Sequence, residues 1–180
     1  MSRLELRAAL DAYRASRPVG SKYAHRATDL PAGSSSPMKL VNPPVALMFH
    51  EGAPRLLAAG VHVPLLMNGD RKRVALEAYP GLLVRKQLGI RSSYKSDTRA
   101  EHTPARREIR KQIVNALSTG HPLGVKISLA KEQKYLLISD GSGDLLDAAI
   151  CAVQAAWAAR SPLYGMPGSV MAGEGWIISA

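Results

Sequence analysis

The alternation of apolar and polar positions predicts one buried helix around which the other elements pack. Residues 140–160 read DGSGDLLDAAICAVQAAWAAR, a turn followed by a helix that is apolar on nearly every face. Two carboxylates, Asp144 and Asp147, stand three residues apart and therefore share one face of its first turn. An unpaired buried charge costs several kcal/mol, so each carboxylate must be capped, neutralised or bound to a metal. For Asp144, a helix cap is the alternative to a chemical role.

The remaining helices are predicted from their first residues. A capping box at Ser2 begins a short amphipathic helix, and Thr103 caps a second one. Pro43 and Pro44 suit the start of a third helix, which we expect to be interrupted near Gly52 and Pro54. Ser128 is a candidate cap for a further helix that ends before the turn at residue 140.

Short strands are predicted in the gaps between these helices, at residues 61–66, 74–79, 124–129 and 173–180. The second of them precedes a Pro-Gly turn, so the expected order there is strand, turn and helix. Glu77 falls near the carboxyl end of that strand, where open α/β sheets bind their ligands. An ion pair with a nearby arginine is the alternative role for Glu77.

Size and composition predict a single domain over residues 1–180, since 46% of 180 residues are hydrophobic and one core suffices. One cysteine, Cys151, permits no disulfide within the chain and suits a reducing cytoplasm. The apolar run 145–159 is too short to cross a bilayer, and the first residues carry charges in place of a signal-peptide core. We therefore expect a soluble cytoplasmic protein without a membrane partner.

A formal charge of +10 makes polyanions, and nucleic acid in particular, the expected partners. Nine cations and three acids lie between residues 85 and 111. In the loop of this region Tyr94 is a candidate for base stacking, while Lys95 and Arg99 are candidate phosphate contacts. The arginines of the helix that follows are expected on a solvated face.

The loop at residues 19–44 is a second basic segment, rich in Gly, Ser and Pro. Loops of this length in compact domains are usually functional or disordered. Small clustered residues expose backbone N–H groups that can hold an anion, so the loop is either an anion site or a solvated linker. Its candidate nucleic-acid contacts are the cations around GSSS, namely Lys22, His25, Arg26 and Lys39.

Four motifs in order carry a resemblance to a known family: HRATDLPAGSSSPMKLVNPP, VALEAYPGLLVRKQLG followed by SYKSD, SGDLLDAAICAVQAAW, and EGWI. The chain resembles domain-of-unknown-function family 429, bacterial predicted nucleases with a ribonuclease H-like fold. The resemblance implies an α/β fold in which helices flank a mixed sheet. Glu77, Asp144 and Asp147 match the family's acidic positions, which implies catalytic carboxylates that hold divalent metal.

Hard carboxylate oxygens favour magnesium or manganese. Two such ions about 4 Å apart can activate water and stabilise the leaving oxygen in phosphodiester hydrolysis. The predicted function is therefore that of a metal-dependent nuclease. A nucleic-acid-binding protein without catalysis is the alternative, and so is a hydrolase or transferase of this fold that acts on a small phosphorylated substrate.

The chain departs from the family at its beginning. Members of the family start with additional strands that carry an early Asp and a further acid, and Met1 falls after them. We therefore expect an incomplete ribonuclease H-like domain that lacks the N-terminal strands, has little nuclease activity and leaves an apolar face uncovered. Such a face favours oligomerisation.

Overall fold

The computed structural model describes residues 1–168, 170–171 and 173–179. Contacts divide the chain into two compact units. The first comprises Met1–Glu77 together with Pro167–Ile178, and the second comprises Ala78–Met166 together with Ser179. The single domain expected over residues 1–180 stays a prediction.

The helices of the first unit begin where the sequence predicts. Helix α1 spans Arg3–Ala15 behind the expected capping box, in which the Glu5 N–H donates to the Ser2 hydroxyl at 3.2 Å. The short α2 spans Asp29–Ala32, and α3 spans Val45–Ala59. The interruption predicted at Pro54 is wrong, because the missing N–H removes one hydrogen bond without ending α3.

The strands of the first unit are fewer and shorter than the sequence predicts. Strands β1 (Val61–His62) and β2 (Asp70–Val74) pair in parallel, with a register shift between Val61 and His62. The strand predicted at 74–79 therefore lies too late in the chain, since β2 ends at Val74. Beyond it, Glu77 forms only an isolated parallel bridge with Ile177.

The second unit is helical in the part of the chain that is described. A short α4 (Pro80–Leu82) continues into a π-helical turn, Leu83–Gln87. Then follow α5 (Pro104–Thr119), α6 (Lys131–Ser139) and α7 (Asp144–Ala158), with 3₁₀ turns at Arg99–Glu101 and Pro162–Gly165. These three long helices pack together around a buried apolar cluster that includes Leu83, Ile113, Leu117, Leu146 and Ile150.

Two local expectations in this unit fail. Residues 124–129 are irregular rather than a strand. Helix α6 begins after Ala130 and not after Ser128, because the Gln133 side chain accepts a hydrogen bond from the Ala130 N–H at 2.8 Å. The Gln133 side chain thus supplies one half of a capping box, in which the third residue of the helix accepts from the N–H of the capping position.

Helix α7 begins where predicted, but it is not buried on every face. Leu146, Ile150 and Val153 face the core, while Ala148 and Ala152 form part of an exposed row. Small alanines expose little apolar area, which makes this row compatible with water. The helix expected to be buried around its whole circumference is therefore exposed along one narrow face.

The described residues combine seven α-helices with a two-stranded parallel sheet, so the fold is a mixed one of helices and strands. None of these helices has the length and apolar character required to span a bilayer.

Candidate functional site

Asp147 is the carboxylate at the centre of the candidate site, in the first turn of α7. Its Oδ1 accepts a hydrogen bond from the Tyr94 hydroxyl, and its Oδ2 accepts one from the Lys95 ammonium group. All three residues belong to the second unit. Both carboxylate oxygens are therefore occupied by donors from one loop.

The backbone of Tyr94 is hydrogen-bonded by Arg110, an arginine that the sequence predicts on a solvated face. Arg110 of α5 is only 2% exposed, and it donates to the carbonyl oxygens of Tyr94 at 2.6 Å and of Ile138 at 2.8 Å. The expectation of a solvated Arg110 is therefore wrong, since the fold needs its guanidinium group to satisfy two carbonyls at once. Arg110 fixes the backbone that carries Tyr94.

Burial also changes the role expected of Tyr94. The residue is 6% exposed, so its ring presents no open face on which a base can stack. Burial, followed by the hydrogen bond to Asp147, raises the pKa of the hydroxyl well above its usual range. Tyr94 is therefore protonated at neutral pH and acts as a donor to Asp147, not as a stacking platform.

Gly143 makes room for Lys95 at the start of α7. Its φ of +76° lies in the left-handed region, which favours glycine. A Cβ atom at this position would lie 2.7 Å from the Cβ of Lys95, closer than two such atoms can approach. The absence of a side chain at Gly143 thus leaves the space that Lys95 needs to reach Asp147.

These residues border a cavity of ≈ 270 Å³, here named the Asp147 cleft. Its lining includes three cations, Arg85, Arg91 and Lys95, and Asp147 is the one carboxylate among its lining residues. The guanidinium carbon of Arg85 lies 5.3 Å from the centroid of the Tyr79 ring, which also forms part of the wall. Cationic groups outnumber anionic ones, so the cleft suits an anionic ligand.

Asp144 lies apart from this cation-rich lining. It is exposed, and its Oδ2 lies 3.0 Å from the Ser142 hydroxyl. The residue that caps the start of α7 is instead Asp140, which accepts from the N–H groups of Leu145 at 3.0 Å and Ser142 at 3.1 Å. Burial alone would raise the pKa of Asp140, but these hydrogen bonds outweigh it and hold the pKa below its usual value.

Glu77 belongs to the first unit, where it is paired with Arg26. The Arg26 Nη1 and Nη2 atoms donate to the two carboxylate oxygens at 2.6 and 2.8 Å. Nη2 also donates to Asp29 Oδ1 at 2.7 Å, so one guanidinium group bridges two acids. The ion pair considered for Glu77 from the sequence is confirmed, and it also engages Arg26, a predicted nucleic-acid contact.

Asp29 is the residue of this network that sequence reasoning missed. It is completely buried at the start of α2, and the Ser34 hydroxyl donates to its Oδ1 at 2.9 Å. Burial alone would raise its pKa, but the hydrogen bonds and charge of Arg26 hold the pKa below the usual value. The three-residue spacing of Arg26 and Asp29 is the signal that could have identified the pair.

The predicted metal ligands do not form a metal site in this arrangement. Glu77 is engaged by Arg26, and Asp147 is engaged by Tyr94 and Lys95. Among residues 1–168, 170–171 and 173–179, no three His, Cys, Asp or Glu side chains gather closely enough to hold a metal ion. The residues present therefore do not fit a magnesium or manganese centre as they stand.

The other predicted contacts are distributed over both units. In the first, His25 and Lys39 border one cavity, while Lys22 borders another. In the second, Arg99 is exposed in a 3₁₀ turn and is not among the residues that line the Asp147 cleft. The structure thus brings Lys95 to the cleft and leaves Arg99 outside it.

No protein-family model, no curated protein and no solved structure matches this chain. The resemblance to domain-of-unknown-function family 429 consequently rests on the four sequence motifs, and the geometry of the site carries the functional argument.

Proposed function

We propose that this protein binds nucleic acid and that the Asp147 cleft receives the phosphodiester backbone. The observation that carries the proposal is the excess of cations in that cleft, where Arg85, Arg91 and Lys95 border a cavity with one carboxylate. The formal charge of +10 supplies long-range attraction for any polyanion.

The pairing within the cleft decides which cation meets the phosphate. Lys95 offsets the charge of Asp147, so the carboxylate repels an incoming phosphate less than an unpaired one would. Arg91 is exposed and forms no ion pair with the described residues. Its planar guanidinium group can donate two parallel hydrogen bonds to one phosphate group.

The first experiment measures how salt affects binding of labelled single-stranded DNA and RNA to the full chain by fluorescence anisotropy. We expect affinity to fall steeply as salt rises, because neutralised phosphates release their counterions. Arg91→Gln should weaken binding about tenfold and lower the salt slope by about one. Arg71→Gln, in exposed β2 outside the cleft, is the charge-matched control.

Two outcomes would remove the proposal. One is an affinity that does not change between low and physiological salt. The other is an equal loss in Arg91→Gln and Arg71→Gln, which would assign binding to diffuse charge and not to the cleft. Competition between polynucleotide and small phosphate esters separates a nucleic-acid ligand from a small phosphorylated substrate.

The second candidate function is the metal-dependent phosphodiester hydrolysis implied by the motifs, on a ribonuclease H-like fold. Asp147 borders the cleft and matches one of the family's acidic positions, but a metal could bind this carboxylate only after its release from Tyr94 and Lys95. Cleavage of a labelled polynucleotide should then require magnesium or manganese and disappear in Asp147→Asn. Salt-sensitive binding without cleavage would instead support nucleic-acid binding without catalysis.

A further inference from the structure

The first unit contains a cavity with the chemistry of an anion site, and none of its lining residues belongs to the Asp147 cleft. Its volume is ≈ 370 Å³. We name it the serine pocket, after the three consecutive serines in its lining. It is bordered by Tyr23, His25, Ser34, Ser35, Ser36, Lys39 and Val41.

The hydroxyl groups of two of the three serines form hydrogen bonds within the loop, and the third is available to a ligand. The Ser34 hydroxyl donates to Asp29, and the Ser36 hydroxyl donates to the Ala24 carbonyl. Ser36 also accepts from the Met38 N–H at 3.2 Å. Within the described residues the Ser35 hydroxyl has no hydrogen-bond partner, although it borders the cavity. The loop thus presents one hydroxyl group on a fixed backbone.

The charges at the serine pocket are positive or ionisable to positive. His25 and Lys39 both border it, and neither forms an ion pair within the part of the chain that is described. No carboxylate is among its lining residues. Asp29 is the acid nearest to the serines in sequence, and it is already engaged by Arg26 and Ser34. A compact anion with several acceptor oxygens, such as phosphate, suits this combination of donors.

Tyr23 adds an aromatic wall that phosphate alone does not need. Tyr23 is 43% exposed. The hydroxyl accepts a hydrogen bond from Arg14 at 3.0 Å, and the guanidinium carbon of Arg14 lies 5.6 Å from the ring centroid. The ring is thereby held in place while much of its surface meets solvent. Such rings are the usual stacking platforms for unpaired bases.

We propose that the serine pocket binds the phosphate group of a nucleotide. Lys39, His25 and Ser35 hold the phosphate oxygens, and the base lies against Tyr23. This assigns to Tyr23 the stacking role that the sequence suggested for Tyr94. The site lies within the first unit, so it stands or falls independently of the Asp147 cleft.

Calorimetric titration of the full chain with three probes tests the proposal: inorganic phosphate, ribose 5-phosphate and adenosine 5′-monophosphate. All three should bind, and the nucleotide should bind about tenfold more tightly than ribose 5-phosphate because only it has a base to stack. Lys39→Gln and Ser35→Ala should each weaken all three probes, with about tenfold for the lysine. Tyr23→Ala should remove the advantage of the nucleotide and leave inorganic phosphate unchanged.

Histidine NMR locates the binding. On addition of inorganic phosphate, the ring signal of His25, assigned from His25→Gln, should shift more than those of the other four histidines. Lys131→Gln, at an exposed position of α6, is the charge-matched control and should change nothing. Arg91→Gln should weaken polynucleotide binding at the cleft while adenosine 5′-monophosphate binds as before, so the two proposals can fail separately.

Three results would overturn the inference. An unshifted His25 signal at saturating phosphate would show that the pocket holds no phosphate. Equal affinities for ribose 5-phosphate and the nucleotide would exclude the stack on Tyr23. A loss of nucleotide binding in Arg91→Gln, with no loss in Lys39→Gln, would show that the nucleotide binds in the Asp147 cleft and not in the serine pocket.

Discussion

The two donors on Asp147 differ in chemistry, and the difference decides what each can contribute. Lys95 supplies a charge that is partly exposed, whereas Tyr94 supplies a neutral hydroxyl from a buried ring. One turn later, burial and then the charge of Asp147 raise the pKa of the Cys151 thiol. The thiol is protonated at neutral pH and therefore a poor nucleophile.

Replacing Tyr94 by Phe separates its positioning role from any contact with nucleic acid. The change removes the hydrogen bond to Asp147 but keeps the buried ring, so we expect a loss of about 1 kcal/mol in the free energy of unfolding. Oligonucleotide affinity should change less than twofold. Denaturant titration and anisotropy provide the two measurements, with exposed Tyr135→Phe as the control. A loss of affinity as large as that of Arg91→Gln would mean that the hydroxyl contacts the ligand.

Asp29 should govern how the first unit responds to acid. Its pKa in the folded chain lies below the unfolded value of about 3.9, so ionised Asp29 adds stability above that pH. The contribution disappears as the pH falls through the folded pKa. Asp29→Asn removes one of the two carboxylates that Arg26 bridges, while Glu77 still pairs with the guanidinium group, and we expect a loss of about 2 kcal/mol at pH 7.

Urea unfolding of wild type and Asp29→Asn between pH 7 and pH 2 checks this expectation. The difference between the two proteins should be constant down to about pH 4 and should shrink below it. Asp97→Asn is the control, because Asp97 is exposed and has no ion pair among the described residues. A difference that is the same at every pH would assign the loss to packing alone.

At the scale of elements, the start of α7 depends on a glycine for two separate reasons. Gly143→Ala would strain a left-handed backbone and also drive a methyl group into the Lys95 side chain. Gly124→Ala has the same backbone strain, since its φ is +70°, but nothing lies within 4 Å of the new Cβ. The pair therefore forms a matched comparison.

We expect the Gly124→Ala change to cost about 1–2 kcal/mol, the usual cost of a left-handed residue that carries a Cβ. Gly143→Ala should cost more and should also displace Lys95 from Asp147. Thermal unfolding measures the first effect, and the crystal structure of the variant shows the second. Equal costs with Lys95 still on Asp147 would mean that the loop yields easily.

Helix positions were largely predictable because their signals are local. The capping box at Ser2, the cap at Thr103 and the apolar run after residue 143 each place a helix correctly. Strands were less predictable, because pairing with a partner distant in sequence decides whether a short apolar segment becomes a strand. Residues 124–129 remain irregular for want of such a partner among the described residues.

The candidate site was predictable in its parts but not in its connections. Asp147 and Lys95 were both selected from the sequence, yet they stand 52 residues apart and nothing local indicates their ion pair. The burial of Arg110 could not be predicted either, since the carbonyl groups that it satisfies belong to Tyr94 and Ile138, which are distant in sequence. Tertiary contacts decided these roles.

At the scale of the whole molecule, α3 has an apolar side that faces solvent. Phe49 is 70% exposed and Leu57, two turns later, is 67% exposed, with Met48 beside them. Exposed apolar patches promote association. The apolar side chains that α3 exposes are therefore candidates for contacts between copies of the chain.

We expect the protein to self-associate at micromolar concentration and the double variant Phe49→Gln, Leu57→Gln to shift it toward monomer. Sedimentation velocity over a concentration series is the measurement. Leu136→Gln, an exposed leucine on α6, controls for a general loss of surface apolarity. A wild-type sedimentation coefficient that is monomeric at every concentration would contradict the expectation.

The first unit is assembled from two separate pieces of chain, and this has a consequence during synthesis on the ribosome. Ile177 bridges to Glu77, and its N–H donates to the Thr28 hydroxyl at 3.0 Å. About 100 residues separate Glu77 from Ile177, which takes on the order of 5–20 s to translate. The main part of the second unit, residues 78–166, is translated within that interval. The first unit cannot complete its fold until Ile177 has been translated. Until then, the surface that Ile177 covers in the folded unit is exposed to chaperones and proteases.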